Sequence, residues 1–135
     1  MMDFGSTEME MLWLSVVLGL VQLLVATVLN VSVWGVPYGI SPRDTPATPI
    51  GLRGARIERA YRNFLETFPF FVASVLMVQL LNKHSAQSAL GAQIYFWSRL
   101  VYAPAYALGI PYLRTIAWAA SLFGIVRVLT AVWPG

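Results

Sequence analysis

The chain has 135 residues, of which 58% are hydrophobic and only 11% are charged. A soluble domain has about 25% charged residues, so the composition argues against an ordinary water-soluble domain and favours one membrane-embedded domain. The sequence contains no cysteine, which excludes disulfides, thiolate metal sites and a cysteine nucleophile. The formal net charge of +3 comes from arginines placed among apolar residues, which disfavours nucleic-acid binding.

The first predicted membrane span covers residues 11–34, and no charged residue occurs between Met11 and Pro42. About 20 apolar residues are enough for a helix to cross the hydrocarbon core of a bilayer. Acidic residues precede the span, whereas a secretory signal peptide begins with basic residues. We therefore expect a retained span rather than a cleaved leader. The glycines and prolines of residues 35–54 predict a loop.

Three further spans are predicted at residues 55–81, 89–108 and 114–133. The expected fold is an all-α integral membrane bundle of four helices, with residues 1–135 forming a single domain.

Charged residues in the predicted loops indicate an orientation. Arg43, Arg53 and Arg114 fall on one side of the membrane, and Lys83 and His84 fall on the other side with the acidic N-terminus. Because cytoplasmic loops favour lysine and arginine, we expect the first and third loops in the cytoplasm and both termini outside. His84 is expected to lie at the interface without a partner.

Two stripes of small and weakly polar residues predict close helix packing. In the first span the stripe consists of Ser15, Gly19, Gln22, Ala26 and Asn30. In the last span it consists of Ala117, Ala120, Ser121 and Gly124.

The second predicted span carries charges that are costly inside a membrane. Arg59, Asn63 and Glu66 follow one another at four- and three-residue spacing, so they lie on one face of the helix. Arg62 is four residues before Glu66. The face therefore offers guanidinium groups, an amide and a carboxylate.

A matching face is predicted on the third span, where Arg99, Tyr102 and Tyr106 share one side. Arg114 opens the fourth span near the same membrane surface. If these faces meet, they form a pocket for a small ligand with two carboxylates and an amine. Alternatively, the charges only neutralise one another between helices. Arg127, further along the last span, either reaches outward to the interface or pairs with another subunit.

Several separate motifs resemble the MAPEG family, the membrane-associated proteins in eicosanoid and glutathione metabolism. Residues 58–69 read ERAYRNFLETFP and look like the family's second-helix signature, and Arg99-x-x-Tyr102-x-x-x-Tyr106 resembles its third-helix motif. Residues 109–115 (GIPYLRT) and 42–44 (PRD) resemble its bacterial branch. The resemblance covers essentially the whole chain, with the same number of spans.

The resemblance implies a homotrimer with active sites between neighbouring subunits and glutathione as co-substrate, without a metal. Arg59, Asn63 and Glu66 match family positions that hold the peptide. Further binding positions match Arg62, Arg99, Tyr102 and Tyr106. Arg114 matches the catalytic arginine that stabilises the thiolate. The implied activity is that of a glutathione transferase or peroxidase of the bacterial inner membrane, acting on lipophilic electrophiles or hydroperoxides.

Other functions remain open at this stage. On the same scaffold the chain could be a non-catalytic membrane subunit, part of a larger assembly, or a protein that binds lipids or other ligands. The thiol used could also be one other than glutathione. A small proton-coupled exporter is disfavoured because the first span has no carboxylate.

Overall fold

The computed structural model describes residues 3–44 and 51–134, and within these ranges the chain is entirely helical apart from turns and short connections. The helices in chain order are α1 (Thr7–Trp34), α2 (Val36–Gly39), α3 (Gly51–Leu80), α4 (Ala86–Ala107) and α5 (Pro111–Ala131). The all-α prediction is confirmed.

The prediction of a loop over residues 35–54 was wrong at both ends. Val36–Gly39 forms a short helix, with Pro37 in its first turn, where the fixed φ of proline suits a helix. At the other end, α3 already begins at Gly51, whose φ of +85° is a conformation that glycine adopts readily. Residues 45–50 of this loop, with two of its prolines, lie outside the described ranges.

The long helices begin three or four residues before the predicted spans, because local signals start them early. The hydroxyl of Ser6 accepts a hydrogen bond from the amide of Met9 and caps α1. Ser85 and Ser88 form a reciprocal capping box at the start of α4. Pro111 occupies the first turn of α5, where the fixed φ of proline suits a helix.

Three of the helices described, α1, α3 and α5, are long and apolar enough to cross a membrane. This supports the prediction of an integral membrane protein. Helix α4 is not among the three, so the fourth span stays a prediction.

Consecutive long helices run antiparallel, and the main core lies at one end of the molecule. This end, here called the packed end, contains the start of α1, the end of α3, the start of α4 and the end of α5. Its buried apolar residues are Met11, Leu12, Phe71, Val75, Val78, Ala92, Tyr95, Phe96, Ile125 and Val128.

His84 was expected to have no partner, and this prediction was wrong. Its Nδ1 lies 3.3 Å from Oε2 of Glu8, and the hydroxyl of Ser88 donates a hydrogen bond to the same carboxylate. Glu8 is buried in the first turn of α1. A buried carboxylate needs such partners, and here they fasten α1 to the start of α4.

The small-residue stripes pack as predicted, most closely between α4 and α5. A Cβ placed on Gly124 would lie 2.6 Å from the carbonyl oxygen of Gly91 and 2.8 Å from the amide nitrogen of Tyr95. Both atoms belong to the backbone and cannot rotate away. The absence of side chains at these two glycines therefore allows the helices to touch.

We expect Gly124→Ala to destabilise the fold by about 1–3 kcal/mol, because the added methyl group overpacks this contact. The measurement is the melting temperature of the detergent-solubilised protein followed by circular dichroism. Gly39→Ala is the matched control, since nothing lies within 4 Å of a Cβ at that position. Equal melting temperatures for the two variants would contradict the close contact.

Candidate functional site

Two adjoining cavities lie between α3, α4 and α5, towards the end opposite the packed end. The first has a volume of about 260 Å³ and is lined by Asn63, Tyr102, Tyr106, Arg114, Thr115 and Trp118. The second has a volume of about 220 Å³ and is lined by Arg59, Arg62, Asn63, Glu66, Tyr102 and Tyr106. Because three residues line both cavities, we treat them as one site and call it the arginine site.

Helix geometry accounts for the convergence of these side chains. Arg59, Asn63 and Glu66 come from one face of α3, as the three- and four-residue spacing predicted. Tyr102 and Tyr106 come from the facing side of α4. Seven of the eight residues that the sequence nominated therefore line the arginine site, and Arg99 is the exception.

Tyr106 connects two arginines that are far apart in sequence. The Nε of Arg59 donates a hydrogen bond to the Tyr106 hydroxyl over 3.1 Å. On another side, the guanidinium carbon of Arg114 lies 4.8 Å from the centroid of the Tyr106 ring, a distance typical of a cation–π contact. The ring thus orients arginines from α3 and α5 towards one space.

Arg99 lies behind the wall of the site rather than on its surface. Only 1% of the residue is exposed, and its Nη2 donates a hydrogen bond to Oδ1 of Asn63 over 2.9 Å. Its guanidinium carbon lies 4.3 Å from the centroid of the Tyr102 ring. Nε and Nη1 of Arg99 have no hydrogen-bond partner among the described residues. Arg99 therefore contacts the two residues that separate it from the cavities.

The site is strongly cationic. Within residues 3–44 and 51–134, the contact between Glu8 and His84 is the only one that brings an acidic and a basic side chain within 4.0 Å of each other. The arginines of the site therefore form no ion pair with Glu66 or with Glu58, although the helical spacing would allow one. Glu66 nevertheless lines the same cavity as Arg59 and Arg62, so it offsets part of their charge without a direct ion pair.

The sequence reasoning did not nominate Thr115 and Trp118 as lining residues. Trp118 follows Arg114 by four residues and so lies on the same face of α5, a spacing that could have revealed it. In the described part of the chain, no group of three or more histidine, aspartate or glutamate side chains is placed to hold a metal ion.

We expect Asn63→Leu to destabilise the protein by about 1–3 kcal/mol, because it removes the single hydrogen-bond partner of a buried guanidinium. The double variant Asn63→Leu/Arg99→Met should recover part of this loss, since both polar groups are then gone. Melting temperatures of the two single variants and the double variant complete the cycle. Strictly additive losses would show that the two side chains are not coupled.

The comparisons with known proteins agree with the motifs described above. No curated protein sequence matches the chain at a significant level. Residues 11–132 match the sequence profile of the MAPEG family, a stretch that contains all the helices except the first turn of α1. The match covers all of the residues that line the arginine site, and we conclude that this chain belongs to the MAPEG family.

Proposed function

We propose that this protein is a glutathione-dependent membrane transferase or peroxidase that acts on lipophilic electrophiles or hydroperoxides. The observation that carries the proposal is the position of Arg114. Its guanidinium shares a cavity with Asn63, Tyr102 and Tyr106 and has no carboxylate partner among the described residues. A cation held in this way is available to an anionic group of a ligand.

The charges of the arginine site match those of glutathione, which has two carboxylates, one ammonium group and a thiol. Guanidinium groups hold carboxylates through two parallel hydrogen bonds, and Arg59 and Arg62 line the same cavity. Glu66 is the one acidic residue of that cavity and would accept the ammonium group. Arg99 would act through Asn63 and Tyr102, the side chains that it contacts.

Arg114 would supply the chemical step. A free thiol has a pKa of about 8.5 and is mostly protonated at neutral pH, but a neighbouring guanidinium favours the reactive thiolate. With an electrophilic carbon, the sulfur would form a bond to carbon and the displaced electron pair would go to the leaving group. With a hydroperoxide, the thiolate sulfur would attack the terminal oxygen and break the O–O bond, which oxidises the sulfur to a sulfenic acid. The departing alkoxide would take up the proton that the thiol had released and leave as the alcohol. A second glutathione would then reduce the sulfenic acid, giving glutathione disulfide and water.

The exposure of the site supports the homotrimer that the family resemblance implies. Arg59, Arg62 and Glu66 are exposed in the single chain, and a neighbouring subunit that covered them would exclude water from the ligand. The apolar side of α1, which includes Leu24 and Val28, is also exposed and would face lipid or that neighbour. We also propose that the chain crosses a bacterial inner membrane four times, with both termini outside.

The second candidate is a non-catalytic subunit, alone or in a larger assembly, that binds a lipid or other anionic ligand at the same arginines. It would use the same charges but would not need Arg114 to stabilise a thiolate. Binding without thiolate formation is the outcome that would favour it.

We expect glutathione to give a saturable thiolate absorbance in an ultraviolet difference titration of the detergent-solubilised protein near neutral pH. Arg114→Gln should reduce this absorbance at saturation by about tenfold or more, since the nearest cation is lost. Arg127→Gln is the matched control, because Arg127 lies on the same helix outside the arginine site. Equal loss in both variants, or no thiolate in the wild type, would refute the catalytic role.

Binding itself should depend on α3. We expect Arg59→Ala to weaken glutathione binding by about tenfold to a hundredfold, because truncating one partner of a charge-assisted hydrogen bond costs roughly 1.5–3 kcal/mol. Glu66→Gln should weaken binding in the same direction. Isothermal titration calorimetry measures both, with Arg127→Gln again as control. Unchanged affinity in both variants would remove the arginine site as the glutathione site.

A further inference from the structure

A third cavity has a different chemistry and lies between α1, α3 and α4. Its volume is about 300 Å³, at the lower end of the range for small-molecule sites. It is lined by Leu18, Val21, Gln22, Val25, Ile57, Ala60, Leu100, Ala103, Pro104 and Ala107. None of these residues lines the arginine site. We call this cavity the Gln22 cavity.

Gln22 is the one polar side chain in the lining. It is only 9% exposed, and its Nε2 has no hydrogen-bond partner among the described residues. A buried donor without a partner is costly, and the hydrocarbon of a bilayer offers no water to satisfy it. The amide therefore points to an acceptor that the chain itself does not provide.

We propose that the Gln22 cavity binds a neutral, lipophilic molecule whose carbonyl oxygen accepts a hydrogen bond from Nε2 of Gln22. The apolar lining selects a molecule that partitions into the membrane, and the absence of lining charges selects an uncharged one. Val21 and Leu100 are exposed at the mouth, so a ligand dissolved in hydrocarbon can enter from the side.

This site is independent of the proposed thiol chemistry. Ala60 lines the Gln22 cavity and packs in a buried cluster with Tyr102, which lines the arginine site on its other side. The two residues form a wall between the cavities. A ligand in the Gln22 cavity therefore does not need glutathione in order to bind.

Benzophenone is a suitable probe because it is a neutral aromatic ketone that crosslinks to nearby C–H groups on irradiation. We expect saturable labelling of residues 18–25 and 100–107 in the detergent-solubilised protein, mapped by peptide mass spectrometry. Gln22→Leu should raise the half-saturating concentration by about fivefold to tenfold, since the hydrogen bond is lost while the volume is kept. Ser15→Ala is the matched control, because the buried Ser15 hydroxyl bonds within α1 and lines none of these cavities.

A second variant tests the same cavity in case Gln22→Leu does not fold. Ala103→Phe should fill the cavity and abolish saturable labelling of both segments, while its melting temperature reports whether the fold survives. Equal half-saturation in wild type and Gln22→Leu would overturn the proposal. Saturable labelling confined to other segments would overturn it as well.

Competition distinguishes the sources of the carbonyl. If an ester-linked diacylglycerol displaces benzophenone and its ether-linked analogue does not, the occupant is a neutral lipid ester. If 2-undecanone displaces it and neither glycerolipid does, the occupant is a free lipophilic ketone. Equal displacement by the ester- and ether-linked lipids would show that the carbonyl is not recognised, which contradicts the role assigned to Gln22.

Discussion

A guanidinium group in the interior of an apolar protein is the feature around which this molecule is arranged. A charge at the centre of a membrane helix costs about 2.5–3.5 kcal/mol on insertion scales. Arg99 offsets this cost with a hydrogen bond to Asn63 and a cation–π contact with the Tyr102 ring. Those contacts fix the register of α3 against α4, and they place Tyr106, one turn further along α4, between Arg59 and Arg114. The geometry of the arginine site therefore depends on a residue that does not line it.

The two ends of the molecule have different roles. At the packed end, apolar residues from four helices form the main core, Gly91 and Gly124 bring two helices into contact, and Glu8 joins α1 to α4. Towards the other end, a smaller buried cluster of Ala60, Tyr102 and Ala117 lies beside cavities with cationic or apolar linings. The packed helices hold these side chains in position while the site stays accessible.

Residue spacing predicted which side chains line the site better than it predicted where the helices begin. The positions of Arg59, Asn63 and Glu66 on one face followed directly from helical periodicity. Periodicity shows which face of a helix a residue is on but not how deeply its side chain is buried. It therefore could not show that Arg99 lies behind the cavity wall. It also could not show that Glu8 meets His84, because that contact joins segments distant in sequence. The loop prediction failed because proline and glycine also occur in the first turns of helices.

The glycine contact between α4 and α5 bears on how the hydropathy of α4 should be interpreted. Helix α4 is not apolar enough to count as a span by itself, and it carries a buried arginine. A short turn joins it to α5, which does qualify. The contact of Gly124 with Gly91 and Tyr95 leaves no gap between the two helices, so α4 shares the apolar surroundings of α5. The hydropathy of α4 alone therefore understates how apolar its environment is.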